Sequence, residues 1–282
     1  MTINGKKIAA EIIERVAAGV AKMKTKPLVA AVLVGAQEEM RRFLEIKEEM
    51  AVKAGFAYKW YEFPADITTK KLRAEIVKIA RHRTGGSASA HGGPISGIIL
   101  ELPLPKHINQ QAVLNAIPQE KDPDVLSQKA QGAFFVGRSP VMPPCPAAVK
   151  AILDYHKIDV VGKRVAVFGY GLLVGRPAAH MLASMKASVI VIARNDPDQA
   201  ELCRQADIIV TGIGNVGMIK ADMVKQDAIV MDFGYGKLNG KISGDVDFAS
   251  VSKKASLITP VPGGVGPLVC AVALENIITL MK

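Results

Sequence analysis

Arg164-Val-Ala-Val-Phe-Gly-Tyr-Gly-Leu-Leu-Val-Gly-Arg-Pro-Ala-Ala-His-Met-Leu-Ala-Ser-Met185 is the stretch on which the fold is decided. Its first six residues form an apolar run that predicts a buried strand. The run breaks at Gly169-Tyr-Gly171, and apolar residues at helical spacing follow through Val174, Ala178, Leu182 and Met185. A strand, a glycine-rich turn and a helix in that order leave free backbone N–H groups at a helix start, where an anion such as a pyrophosphate can be held. The spacing Gly169-x-Gly171-x-x-x-Gly175 has one residue more between its last two glycines than the usual dinucleotide fingerprint. Two readings stand at this point: a nucleotide site, or a tight strand-to-helix turn in an α/β core.

Around this unit the chain alternates. Toward the C-terminus short apolar runs at 187–192, 206–211, 227–232 and 256–259 read as strands, and 164–192 is a βαβ unit of ordinary length. Toward the N-terminus the same grammar recurs. Residues 6–24 predict a helix, Pro27–Gly35 a strand, Glu38–Ala54 a helix, Phe56–Phe63 a strand, a helix from Thr68, and Ile95–Leu102 a strand. Such alternation implies largely parallel sheets covered by helices. The glycine-rich stretch 83–94 reads as a mobile surface loop, and His91 within it carries no chemistry. A short helix is expected over Ile108–Ile117. From Pro118 to Pro146 the chain reads as mostly irregular, with Pro140, Pro143, Pro144 and Pro146 marking a fixed crossing between two bodies. A helix at Ala147–His156 opens the second body, and Leu268–Met281 closes the chain.

The 282 residues allow one large or two modest domains. No window approaches about 18 uninterrupted apolar residues, so no membrane span is expected. Met1-Thr-Ile-Asn-Gly-Lys-Lys7 has no apolar export core. Cys145, Cys203 and Cys270 are too scattered for a metal site or a disulfide framework. A cytoplasmic protein without metal follows as the expectation. The net charge of +10 comes from basic residues dispersed over helices, and only 5% of residues are aromatic. That pattern weighs against nucleic acid and toward a polyanionic small molecule bearing phosphate or glutamate groups.

Four places could carry chemistry. Lys47 shares a helix face with Phe43 near Met40, Leu44 and Met50; it is either a lysine of lowered pKa at an apolar cleft or a snorkelling surface lysine. Glu101 interrupts Ile98-Ile-Leu-Glu-Leu102 at the carboxyl end of a strand, where parallel sheets place ligand-contacting groups, although an acid there can also simply reach solvent. Asp124 follows Asp122-Pro123 in the irregular segment and reads equally as a turn aspartate. Pro262-Gly-Gly-Val-Gly266 either brings bare backbone against a ligand or makes a rigid connection.

Pro103-Leu-Pro-Lys-His-Ile108, Lys121-Asp-x-Asp124, Gly244-Asp-Val-Asp-Phe248 and above all Ile258-Thr-Pro-Val-Pro-Gly-Gly-Val-Gly-Pro267 together resemble the bifunctional methylenetetrahydrofolate dehydrogenase/methenyltetrahydrofolate cyclohydrolase family, over essentially the whole chain. The resemblance implies a homodimer of two-domain α/β subunits. Residues 1–144, completed by helix 266–282, would bind folate; residues 145–265 would form a Rossmann-type NAD(P) domain, with the active site in a cleft between them. It implies oxidation of 5,10-methylenetetrahydrofolate by NADP or NAD, then hydrolysis of the methenyl cation to 10-formyltetrahydrofolate. On this reading Lys47 and Glu101 are catalytic, and Asp124, Phe43, Leu102, Pro262, Gly263 and Gly264 contact the tetrahydrofolate derivative. Gly169, Tyr170, Gly171, Leu172, Gly175, Arg176, Arg194, Ile213 and Tyr235 surround the cofactor.

The departures from the family pattern cluster at these positions. The family tyrosine one turn before the lysine is Phe43, the glutamine before Leu-Pro-Leu-Pro is Glu101, and the Gly-Arg-Ser opening of the cofactor loop is Gly169-Tyr-Gly171. Val125 replaces a glycine, Pro143-Pro-Cys-Pro146 replaces Pro-Cys-Thr-Pro, and Leu268-Val269 replaces Met-Thr. A glutamate beside the lysine favours the ammonium form, which makes Glu101 the proton acceptor and Lys47 its cationic partner. Loss of Arg-Ser removes a phosphate partner and weakens the case for NADP, although Arg176 or Arg194 could compensate. Three readings remain open at this level: both activities, one activity with hydrolysis impaired, or a non-catalytic paralogue that keeps the fold.

Overall fold

The computed structural model describes residues 1–35, 38–82 and 93–282. Most of the expected 83–94 loop, with His91, lies outside the described residues. The chain divides into two compact units, Ala10–Pro144 with Cys270–Lys282, and Met1–Ala9 with Cys145–Val269.

The elements leading through the first unit are α1 (Gly5–Val20), β1 (Leu28–Val34), α2 (Glu38–Lys53), β2 (Ala57–Phe63), α3 (Thr69–Ala80), β3 (Ile95–Leu100), α4 (Gln110–Leu114) and α5 (Gln128–Phe135). The three strands form a parallel sheet in the order β2-β1-β3. Every residue of β1 is buried, because it is the middle strand and is covered on both faces. β3 is buried throughout as well, and ends where the Glu101 N–H bonds the Val32 carbonyl at 3.0 Å. The carboxyl end of the sheet thus delivers Glu101 one residue beyond a buried strand.

The expectation of an irregular crossing over 118–146 needs correction. A 3₁₀ turn at Gln119–Lys121 and the helix α5 occupy much of it. The Ser127 side chain caps α5 by accepting from Ala130 N–H, and the buried Asp122 carboxylate accepts from the N–H groups of Leu126 and Ser127. The late prolines do fall where the chain passes from one unit to the other, between Pro144 and Cys145, but only Pro140 and Pro143 are non-helical. Pro144 and Pro146 stand in the first turn of the next helix, where a missing N–H breaks no helical bond.

The second unit continues with α6 (Pro144–Tyr155), β4 (Arg164–Phe168), α7 (Gly175–Ser184), β5 (Ser188–Ile192), α8 (Gln199–Arg204), β6 (Ile208–Thr211), β7 (Ile229–Asp232), β8 (Gly236–Leu238), β9 (Lys241–Ser243), α9 (Phe248–Val251) and β10 (Leu257–Ile258); the closing helix α10 (Val265–Leu280) starts in this unit and from Cys270 belongs to the first. Five strands form a parallel sheet in the order β10-β7-β6-β4-β5. β4 has β5 on one side and β6 on the other, so the winding reverses there. That is the switch point beside which Rossmann-type sheets bind ligands. The architecture is therefore α/β in both units, and Rossmann-type in the second.

β8 and β9 form an antiparallel hairpin whose two turn residues, Asn239 (φ 50°) and Gly240 (φ 75°), both adopt the left-handed conformation that such a tight turn requires. The first residues of the chain group with the second unit. The Met1 ammonium donates to the Ser256 carbonyl at 2.6 Å, and Ile3 N–H to Ile258 at 2.8 Å, so the N-terminus runs beside β10. Among the described residues no helix is long and apolar enough to cross a membrane.

Gly97 in β3 lets α10 approach the first sheet, since a Cβ there would lie 2.6 Å from Cγ1 of the buried Ile277. Gly97→Ala is expected to lower the unfolding free energy by about 1–3 kcal/mol through overpacking, as measured by urea denaturation.

Candidate active site

In the first unit the structure brings three of the expected residues together. Lys47 projects from α2, one turn beyond the partly buried Phe43, and its Nζ donates to Glu101 Oε2 at 2.6 Å. The two side chains are only 16% and 11% exposed, so this is not a snorkelling surface lysine. Burial disfavours the ammonium, but the negative charges of Glu101, Asp124 and Cys270 outweigh it and hold Lys47 above the ordinary lysine range. A lysine lowered toward neutrality by an apolar cleft is therefore not what the structure shows.

Asp124 occupies a turn that is pinned from both sides. Asp122 behind it accepts from Leu126 and Ser127 N–H, and Asn276 of α10 donates from Nδ2 to the carbonyls of Pro123 and Met142, both at 2.8 Å. Val125, where the family carries glycine, is forced to φ 55°. That conformation is strained for a β-branched side chain and marks a turn held by its surroundings. Burial raises the Asp124 carboxyl to about 7 against the pull of Lys47, with Asp122 and Glu101 adding to the rise. Burial likewise pushes the Cys270 thiol up to about 11. Leu102, partly exposed, follows Glu101 directly.

In the second unit the glycine turn is built by backbone contact. Gly169 has φ 77°, and a Cβ on Gly175 would lie 2.1 Å from the Gly169 carbonyl oxygen. Only glycine permits α7 to start so close to the end of β4, and a Cβ on Gly171 would meet nothing. Tyr170 is 55% exposed, and the Arg176 guanidinium stacks over its ring at 5.3 Å. Arg176 Nε is buried without a hydrogen-bond partner among the described residues. Leu172 and Tyr235 are partly exposed, while Arg194 is exposed just beyond β5.

Ile213 closes the turn from the β6 side, its Cγ2 2.8 Å from where a Gly169 Cβ would be. The loop carrying Ile213 is fixed by Asp245, whose carboxylate accepts from Thr211 Oγ1, Ile213 N–H and Asn215 N–H, each at 2.8 Å. Asp232 in turn accepts from Gly234, Asp245 and Val246 N–H, and burial raises its carboxyl to about 6. The Gly244-Asp-Val-Asp-Phe248 motif is thus a loop anchor. Bare backbone, an adjacent aromatic and a guanidinium stacked on it fit the phosphates of a dinucleotide.

Pro262, Gly263 and Gly264 belong to the second unit. A Cβ on Gly5 would fall 1.7 Å from the Gly264 carbonyl oxygen, so this glycine run is packed against the start of α1. Gly263, at φ 96°, is required by its own backbone. Asp122, Asn276, Asp232 and Asp245 escaped the sequence reading as positioning residues. Their carboxylates and amide act on backbone groups, and such bonds leave no periodic trace.

A two-unit α/β chain with a buried Lys–Glu–Asp group in one unit and a dinucleotide turn in the other has the make-up of a nicotinamide-dependent enzyme with an ionic catalytic centre. Comparison with known proteins narrows that class. The sequence pattern described as "Tetrahydrofolate dehydrogenase/cyclohydrolase, catalytic domain" matches residues 3–124, and the corresponding "NAD(P)-binding domain" matches residues 143–282. The "Bifunctional protein FolD" of Nautilia profundicola is 37% identical over 100% of this chain and 98% of its own length. That of Lactobacillus delbrueckii subsp. bulgaricus is 35% identical over 99% and 96%. The crystal structure of the bifunctional FolD enzyme from Campylobacter jejuni superposes with a TM-score of 0.92 at 34% identity, covering 99% of this chain and 98% of that one. The FolD structure from Trypanosoma brucei, complexed with NADP cofactor and inhibitor, gives 0.91 at 30% identity over 100% and 97%. The chain belongs to the tetrahydrofolate dehydrogenase/cyclohydrolase family.

The raised Asp124 pKa has a consequence for stability. The folded protein binds this proton more tightly than the unfolded chain, whose carboxyl has its ordinary value of 3.8. Its stabilising contribution is present below that value and is lost as pH rises through about 7. Asp124→Asn should therefore flatten the fall in unfolding free energy between about pH 4 and about pH 7, followed by urea denaturation.

Proposed function

We propose that this protein is an NAD(P)-dependent 5,10-methylenetetrahydrofolate dehydrogenase that also hydrolyses its methenyl product to 10-formyltetrahydrofolate, acting as a cytoplasmic homodimer. The observation that carries the reading is the Lys47–Glu101 ion pair at 2.6 Å, beside Asp124, in a chain of this family. Asp124 holds the pterin through charge-assisted hydrogen bonds. Phe43 and Leu102, in the first unit, line the folate pocket.

Gly169, Gly171 and Gly175 give the cofactor phosphates their bare backbone, with Tyr170, Leu172, Ile213 and Tyr235 around them. Arg176, stacked on Tyr170, and Arg194 beyond β5 are the cations available to a ribose phosphate, so NADP is accommodated although the Gly-Arg-Ser opening is gone. When bound there, the nicotinamide supplies the hydride acceptor. Nothing in that step needs a neutral lysine, so the change to Glu101 leaves the oxidation in place.

For hydrolysis, Lys47 is the fixed cation and Glu101 the base. Glu101 takes one proton from water as the water oxygen bonds to the methenyl carbon. The resulting carbinol loses its second proton as the bond from that carbon to N5 breaks and N5 is protonated, so one proton per turnover passes to solvent. The Lys47 ammonium orients Glu101 for the first step through their hydrogen bond. A second reading, oxidation with weakened hydrolysis, is favoured by the same pair, because an ammonium so stabilised cannot itself act as base.

Lys47→Met should lower the hydrolysis rate at least about 100-fold while folate still binds, and Asp124→Ala should weaken folate binding roughly 10- to 100-fold. Methenyltetrahydrofolate formation with NADP⁺ and with NAD⁺, followed by decay of the methenyl absorbance, measures both steps. Absence of turnover with either cofactor at high enzyme would refute the assignment.

A further inference from the structure

Phe43 leaves α2 without the hydroxyl that the family tyrosine carries there, and the first unit contains another hydroxyl with no structural employment. Tyr58 lies on β2, opposite Val29 of β1. Two residues on, Trp60 shares its face of the strand, the two rings meeting edge to face at 6.3 Å. Trp60 Nε1 donates to Glu48 Oε2 at 2.8 Å, which places this face of β2 against α2, at the residue next to Lys47.

The Tyr58 hydroxyl is buried, yet it has no hydrogen-bond partner among the described residues. Folded proteins seldom leave such a group unpaired, and an exception calls for a function. Its surroundings supply one. Burial, together with the charges of Glu101, Glu48, Cys270 and Asp124, pushes its pKa above the usual phenol range, so it stays protonated. Three of those four groups, Glu101, Asp124 and Cys270, are also the ones that act on Lys47. An O–H donor with no partner among the described residues therefore lies beside Trp60, on the face of β2 that packs on α2 at Glu48, next to Lys47.

We propose that Tyr58 is a substrate-binding residue of this site, whose phenol donates a hydrogen bond to an acceptor at the pterin end of the bound folate and so supplies the hydroxyl that Phe43 lacks. The proposal rests on the folate reading above. It also accounts for the position of the residue: the aromatic ring is held by Trp60 and the sheet, so the hydroxyl is presented without loss of side-chain freedom on binding.

The test compares the wild type with Tyr58→Phe, Phe43→Tyr and the double variant. The readouts are affinity for 5-formyltetrahydrofolate by calorimetry, both turnover rates, and thermal melting. Tyr58→Phe should weaken binding about tenfold and lower turnover, while its melting temperature holds or rises because an unpaired buried polar atom has gone. Phe43→Tyr should restore most of the lost affinity in the Tyr58→Phe background and add little on its own. Unchanged affinity in Tyr58→Phe overturns the proposal. So does a lower melting temperature in that variant, which would show that the hydroxyl is paired within the fold, or a failure of Phe43→Tyr to restore binding. If the wild type binds the folate but turns over no methylenetetrahydrofolate, the activity reading fails and the affinity comparison still decides the role of Tyr58.

Discussion

Lys47 and Glu101 meet in a place where neither charge is well hydrated, and the first unit is built so that they can. Removing two ions from water costs more than their attraction returns unless geometry and further hydrogen bonds are favourable. The geometry comes from two rigid sources. The helix α2 sets the height of the lysine, and the end of β3, bonded to β1 through the Glu101 N–H, sets that of the acid. Removing one member leaves the other uncompensated, so the two side chains function as a single unit. Asp124 completes the arrangement as a buried carboxyl whose pKa burial raises to about 7 against the pull of Lys47.

The second unit meets a different constraint. An anion is received there by backbone, and backbone is exposed only where side chains are absent. The contact of Gly175 with the Gly169 carbonyl and the anchoring of Ile213 and Asn215 by Asp245 serve the same end from opposite sides of the turn. What varies is the side chain added to this frame. In this turn the side chains are Tyr170 and the Arg176 guanidinium that rests on its ring.

How much of this could be read from the residues depended on the kind of force involved. All three strands of the first sheet and all five of the second were legible, most plainly β1, β3 and β6, where burial of every residue leaves little choice of composition. Lys47 and Glu101 were each visible, one by its helix face and one by its break in a buried run, but their contact depends on how α2 lies on the sheet. The 118–146 segment was misjudged since its order comes from Asp122 and Ser127 side chains bonding to nearby backbone. The β8–β9 hairpin carried a legible Asn239-Gly240 signal that went unused. Tyr58 left no signal at all, for an aromatic in a strand is ordinary until its hydroxyl is found unpaired. In the Pro262–Gly266 run, Gly264 is explained by its own turn, where a Cβ would lie 2.4 Å from the Pro260 carbonyl oxygen, whereas the approach of that run to α1 explains Gly5.

The central claim is that Lys47 is a permanent cation and Glu101 the group that exchanges protons. Titration of the labelled Lys47 side chain by NMR, in the wild type and in Glu101→Gln, tests it most directly. The wild-type amine should show no deprotonation up to about pH 10, and Glu101→Gln should lower its midpoint by at least about one unit, since burial then meets less opposing charge. A wild-type amine that titrates near neutral pH would contradict the account and return the role of base to the lysine.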